Sequence, residues 1–107
     1  MTEQAYLVLL ALADGPRHGY AIVQSVVSLS DGRVTLGAGT LYGVLDRLVE
    51  AGCARVFGEE VVDGRLRRYY ELTDAGGAAA SARTRQLAAL AARARRVLAA
   101  RPALGGA

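Results

Sequence analysis

Apolar residues recur at three- and four-residue steps along most of the chain, and the breaks in that rhythm mark the ends of elements. "TEQAYLVLLALADGP" sets Tyr6, Leu9, Leu10, Leu12 and Ala13 at helical spacing and stops at Asp14-Gly15-Pro16, which predicts a first helix with a clear terminator. "RHGYAIVQSVVSLSDG" restarts the period with Ile22, Val23, Val26 and Val27 and ends at Asp31-Gly32. "VTL", Val34 to Leu36, reads as a short β-favouring bridge. A third helix follows, in which Leu41, Val44, Leu45, Leu48 and Val49 form one continuous buried face. The period then changes. "CARVFGEEVVDGRLRRYYELT" is rich in Val, Phe and Tyr, with Asp63-Gly64 at its middle. Asp-Gly between two such runs predicts a hairpin, because a type I′ turn needs positive φ at both central residues.

From Asp74 to about Arg101 the helical period returns, with Thr73 as its N-cap, and Pro102 and Gly105-Gly106 close it. Gly76 and Gly77 weaken its first turn. Leu87, Leu90, Ala91, Ala94, Val97, Leu98 and Arg101 keep a stripe along it. A long helix with such a stripe and no core of its own to fill needs a partner surface. The expected fold is thus mainly α with a small β-hairpin: three helices, a hairpin and a long last helix, the order of a winged helix-turn-helix. The expected division is 1–73 for a winged helix-turn-helix unit and 74–107 for a dimerisation helix and tail.

With 107 residues the chain makes one small domain with a modest core. All 13 basic residues are Arg. Residues 1–74 hold 7 Arg against 10 acids, a balance of −3, while residues 75–107 hold 6 Arg and no acid, a balance of +6. That asymmetry points either to an anionic partner or to a special role for the tail. The single Cys53 excludes an intrachain disulfide and fits a reducing compartment. No apolar run is long enough for a membrane span and no signal-peptide pattern opens the chain, so a cytoplasmic protein without a membrane partner is expected.

Gly37, Gly39 and Gly43 raise the question of a phosphate-cradling loop. A dinucleotide site needs a strand before the glycines and a βαβ unit around them; only Val34 to Leu36 precede them, and the acids Glu59 and Glu60 fall beside a hairpin turn. One His and one Cys cannot form a four-ligand zinc site. His18 reads as a helix-terminal histidine and Cys53 as a small packed hydrophobe. No catalytic residue, metal or cofactor is expected, and the chain reads as not an enzyme. Small residues instead let the third helix sink into a major groove. Thr40, Gly43 and Arg47 share its outer face, with Thr40 able to bond a base edge or phosphate, Tyr42 a phosphate and Arg47 guanine or backbone. Arg65, Arg67 and Arg68 crowd just after the hairpin tip, where phosphate contacts release counterions. Tyr69 and Tyr70 point to opposite faces of their strand, one to the core and one to the rim, and spacing alone does not say which.

"LLALADGPRHGYAIVQSV", "GAGTLYGVLDRLVEAG" and "DGRLRRYYELTDAG" together resemble the successive signatures of the PadR family of transcriptional regulators, over about Ala5 to Gly77. The single-helix tail is similar to the family's smaller branch. The resemblance implies a winged helix-turn-helix homodimer held mostly by the last helix, through Leu87, Leu90, Ala91, Ala94, Val97 and Leu98. It implies a repressor on double-stranded DNA with a pseudo-palindromic operator, and a small aromatic or drug-like effector bound between subunits. It places DNA contacts on Thr40, Tyr42, Arg47, Arg65, Arg67 and Arg68, with Tyr20 of "HGY" as a further candidate, while Gly43 joins them only through the shared outer face of the third helix. The chain departs from the family at Gly43, where many relatives carry Pro, and at Cys53-Ala54, where they carry larger aliphatics. Its tail has no Trp to stack a ligand. The competing class is a winged helix that binds another protein and no specific DNA; the wing arginines discriminate the two.

Overall fold

The computed structural model describes residues 1–103; Gly105-Gly106, expected to help end the last helix, lie outside the described residues. Seven elements follow one another: α1 (Glu3–Ala11), β1 (Arg17–His18), α2 (Gly19–Leu29), α3 (Ala38–Glu50), β2 (Ala54–Val62), β3 (Arg65–Leu72) and α4 (Asp74–Ala100). The fold is mainly α with a small antiparallel sheet, as the sequence pattern predicts.

The helix α1 occupies the middle. Thr2 caps it, accepting a hydrogen bond from the Ala5 amide at 3.1 Å. Leu7, Val8, Leu9, Ala11 and Leu12 are all buried, so α1 is covered on several sides rather than along the single face the period suggests. Leu10 is only half-buried and Ala13 is exposed. Against it pack Ile22 and Val26 of α2, and Leu41, Val44, Leu45 and Leu48 of α3. Val49, expected on that buried face, is 38% exposed: at the edge of the stripe, it lies beyond the reach of α1.

The bridge "VTL" is not a strand. Val34 donates its amide to the Oγ of the buried Ser30 at 2.9 Å, and Leu36 fills the core, so a side chain rather than a neighbouring strand satisfies this stretch. The third strand comes instead from Arg17–His18, which the pattern assigns to the start of the second helix. Two residues are too few to show a β period. They pair with β3 (Arg17 with Tyr70, His18 with Tyr69), giving the order β1-β3-β2.

The hairpin turns where Asp63-Gly64 predicts, with φ of 51° and 76° at the two residues and Val62 opposite Arg65. That is the left-handed pair a type I′ turn demands. A bulge at Phe57 shifts the register between Val56 opposite Tyr70 and Gly58 opposite Tyr69. Tyr70 proves to be the core tyrosine, 3% exposed, while Tyr69 stays half-buried outside it.

α4 starts at the expected cap: Thr73 Oγ1 accepts from the Gly76 amide at 3.0 Å and donates to the Gly52 carbonyl at 2.6 Å. Gly76 is there for space. A Cβ on it would lie 1.9 Å from the Cys53 carbonyl oxygen, so the residue that costs the helix propensity is the one that lets α4 seat on the end of α3. Ala80 is buried and Tyr6 Oη lies 2.7 Å from Thr84 Oγ1, which ties the first turns of α4 to α1. Beyond them the helix leaves the body. Leu90, Val97 and Leu98 are 55%, 69% and 61% exposed.

Candidate nucleic-acid interface

The N-terminal turns of α3 present Ala38, Gly39 and Thr40 to solvent, with Gly43 half-exposed one turn on. A Cβ added at Gly39 or Gly43 would meet nothing within 4 Å. These glycines are therefore not needed for packing inside the protein, in contrast to Gly76. They keep the outer surface of α3 flat.

Beside that surface lies a cleft of about 490 Å³ between the start of α2, α3 and the wing. Tyr20 and Tyr42 line one side, Arg65, Arg67 and Arg68 the other, and His18 the inner end. The cleft exists because β1 stops at His18. It covers β3 only at Tyr69 and Tyr70, and β3 runs on to the wing tip with a free edge facing the two tyrosines. Tyr42 is seated on Gly19, where a Cβ would approach its hydroxyl to 2.7 Å. That accounts for the glycine in "HGY".

The three wing arginines are not equivalent. Arg65 is exposed and Arg67 half-buried, and neither makes an ion pair among the described residues. Arg68 donates through Nε to Glu59 across the hairpin at 2.9 Å. Tyr69 donates its hydroxyl to Glu60 and packs edge-on against His18 at 5.5 Å. Of the α3 residues, Tyr42 joins the cleft, whereas Thr40 is exposed outside it. Arg47 is exposed two turns further along and borders a separate small cavity with Thr2, Ala5 and Cys53. The six residues expected at a dimer interface, Leu87, Leu90, Ala91, Ala94, Val97 and Leu98, lie on the projecting part of α4 and are exposed.

The sequence predicts a helix-terminal histidine at position 18, and His18 is one: its Nδ1 accepts from the Ala21 amide at 3.3 Å as the N-cap of α2. Its place in the cleft is not legible in the chain, because that depends on β1. Burial lowers the pKa of His18 below its ordinary 6.5, and the positive Arg67 lowers it further, against a smaller opposing effect of Glu60. An acceptor Nδ1 also requires the neutral ring. The unfolded chain therefore binds the proton at a higher pH than the folded one. Stability from His18 is complete above about pH 6.5 and falls as the pH drops through the folded pKa. Thermal melts between pH 8 and pH 5 should show an acid-side loss that His18→Asn, which keeps a cap but cannot titrate, makes smaller. Equal pH dependence in both proteins would remove His18 as a source of it.

The model of the transcriptional regulator PadR-like family matches residues 8–82. The transcriptional regulator Rv3488 of Mycobacterium tuberculosis is 42% identical over 84 residues, which cover 78% of this chain and 75% of that protein. A 37.1 kDa protein in transposon TN4556 of Streptomyces fradiae is 49% identical over 70 residues, 65% of this chain but only 19% of its own length. Among solved structures, a PadR family transcription regulator from Clostridium difficile R20291 superposes with a TM-score of 0.76 at 19% identity, covering 91% of this chain and 99% of that one. Bacillus subtilis PadR in complex with operator DNA superposes with a TM-score of 0.63 at 20% identity, over 72% of this chain and 44% of that one.

Proposed function

The chain belongs to the PadR-like family of transcriptional regulators, and on that premise we propose that it is a cytoplasmic repressor that binds operator DNA as a homodimer. The family is one of regulators rather than enzymes. The observation that carries the DNA reading is the cleft: beside the flat, small-residue surface of α3, Arg65, Arg67 and Arg68 of the wing meet Tyr20 of α2 and Tyr42 of α3 around one opening. A groove-sized helix beside a cationic strand is what a duplex needs, with bases read by the helix and phosphates held by the wing. Thr40, Gly43 and Arg47 face the groove in this reading, and Tyr42 and Tyr20 a phosphate. The Bacillus subtilis relative, solved on operator DNA, supports this use of the fold.

Residues 1–73 form the reading unit and 74–107 the dimerising one, although the first turns of α4 also pack on α1. The exposed stripe Leu87, Leu90, Ala91, Ala94, Val97 and Leu98 meets its counterpart in a second copy. Removing that apolar surface from water favours association by about 25 cal/mol per Å². Two-fold symmetry then calls for a pseudo-palindromic operator, with half-sites about one helical turn apart or a multiple of it. A cavity of about 260 Å³, bordered by Tyr6, Leu7, Arg33, Arg83 and Leu87, opens beside the stripe. Closed by the second subunit, it would hold a small aromatic or drug-like effector that relieves repression.

The test is selection of bound duplexes from a random pool by the purified protein at two salt concentrations. Enrichment of an inverted repeat that weakens steeply with salt supports a dimeric, sequence-specific regulator. Recovery of no motif, with retention that only fades with salt, would overturn it in favour of a winged helix whose partner is another protein.

A further inference from the structure

The projecting part of α4 has two faces of different chemistry. Its apolar stripe turns toward a second copy in the dimer proposed above. At about 3.6 residues per turn, Arg85, Arg93 and Arg96 lie within about 80° of one another and about 150° from the middle of that stripe. All three are exposed, and none has an ion-pair partner among the described residues. The helix itself cannot supply one, because its single acid is Asp74, more than two turns before its first arginine, Arg83. A solvated helix face ordinarily mixes its charges and pairs opposite signs at three- and four-residue steps. Here Arg93 and Arg96 stand three residues apart with no acid beside them, which disfavours the free helix. Between the arginines lie Ala89 and Ala92, so no long side chain holds a large partner away.

This face is separate from the cleft. The first turn of α4 seats against the Cys53 carbonyl, just past the C-terminal end of α3, whereas the small-residue surface lies on the N-terminal turns of α3. No residue of α4 lines the cleft between α2, α3 and the wing. Beyond Thr84, which meets Tyr6 of α1, the helix rises about 18 Å to Arg96. From this geometry we infer that the arginine face of α4 binds a second DNA duplex by its phosphates, so that one dimer bridges two duplex segments. The inference rests on the DNA reading above. Charge complementarity and the composition of the face choose this occupant. Protein partners are held by buried aromatic and aliphatic anchors, and outside the stripe the projecting helix offers none. A duplex backbone needs none: guanidinium groups pair with phosphate through parallel N–H bonds, and each contact releases counterions. Such contacts carry no sequence preference, so the second segment is held whatever its sequence.

The experiment fixes an operator duplex, selected by the unsubstituted protein, on a surface. It is saturated with protein, and a labelled duplex of unrelated sequence is then offered. The unsubstituted protein should capture the second duplex, with capture falling in log–log slope by about 0.9 for each phosphate contacted. Arg85→Gln/Arg93→Gln/Arg96→Gln places neutral helix formers at exposed positions off the stripe, and a thermal melt verifies its fold. It should hold the fixed operator within about two-fold of the parent and capture the second duplex about ten-fold less, the scale of losing several phosphate contacts. An operator that stays bound while no second duplex is captured overturns the inference and leaves the DNA reading standing. Equal capture by the variant does the same, since a reading head of the dimer would then be reaching the second duplex. Binding of poly-glutamate in place of the duplex, lost in the variant, overturns it in favour of an acidic protein partner. Enrichment of no operator in the selection overturns both readings.

Discussion

Gly76→Ala should lower the stability of the folded protein by about 2–4 kcal/mol, although it replaces glycine by the best helix former in the first turn of a helix. On propensity alone the change is worth up to about 1 kcal/mol in favour of the fold. Against it stands a Cβ placed 1.9 Å from the Cys53 carbonyl oxygen and 2.8 Å from its carbon, with Leu72 Cδ1 at 2.9 Å. The nearest obstacle is backbone and cannot swing away. It is also committed, since Cys53 O accepts the Thr73 amide at 3.2 Å and Thr73 in turn caps α4 and bonds Gly52. Relieving the clash means lifting α4 off the α3–β2 junction, which breaks that network and the contact of Ala80 with the core. Gly77 is the matched control: a Cβ there meets only Leu72 Cδ2 at 3.7 Å, so Gly77→Ala should be neutral or stabilising by up to about 1 kcal/mol. Thermal or urea unfolding at one fixed protein concentration distinguishes the two, with Gly76→Ala lowering Tm by about 10 °C or more. Similar midpoints for both variants would show that the junction yields freely.

Removing the wing charges should cost about 10- to 100-fold in DNA affinity near physiological salt, unequally among the three residues. Every phosphate deprived of its cationic partner reduces the slope of log K against log salt by about 0.9. Arg65→Ala and Arg67→Ala should each show that decrement, because neither side chain has an ion-pair partner among the described residues to give up. Arg68 is held by Glu59 at 2.9 Å, so a phosphate must compete with a carboxylate and Arg68→Ala should cost less. Glu59→Gln frees Arg68 and should tighten binding, most visibly at low salt. The measurement is affinity for a fixed duplex at several salt concentrations. An Arg65→Ala/Arg67→Ala protein that binds with unchanged affinity and slope would mean that the wing does not touch the backbone, and would favour the protein-partner reading.

Much of this architecture is written in local patterns. The helices at 38–50 and 74–100, the cap at Thr73 and the turn at Asp63-Gly64 all follow from periodicity and from which residues tolerate positive φ. Each depends on interactions within a few residues, so the chain states them directly. The wing arginines and the projecting apolar stripe are legible for the same reason: a charge cluster after a turn and a period along a helix need no knowledge of what lies opposite. What the sequence does not state is whatever depends on two distant segments meeting. The strand at Arg17–His18 exists only because β3 is there to pair with it, and its short length leaves the edge of β3 open as the cleft. Gly76 reads as a flaw in a helix until the Cys53 carbonyl is seen against it. Tyr70 rather than Tyr69 enters the core because of the face that β3 turns toward the helices, and Arg68 rather than its neighbours is neutralised because the register beyond the bulge at Phe57 brings Glu59 opposite it. Sequence determined the elements and the chemistry they carry; tertiary packing decided which glycine must stay small, which arginines remain free and where the cleft opens, because close approach and ion pairing depend on distances that chain order does not encode.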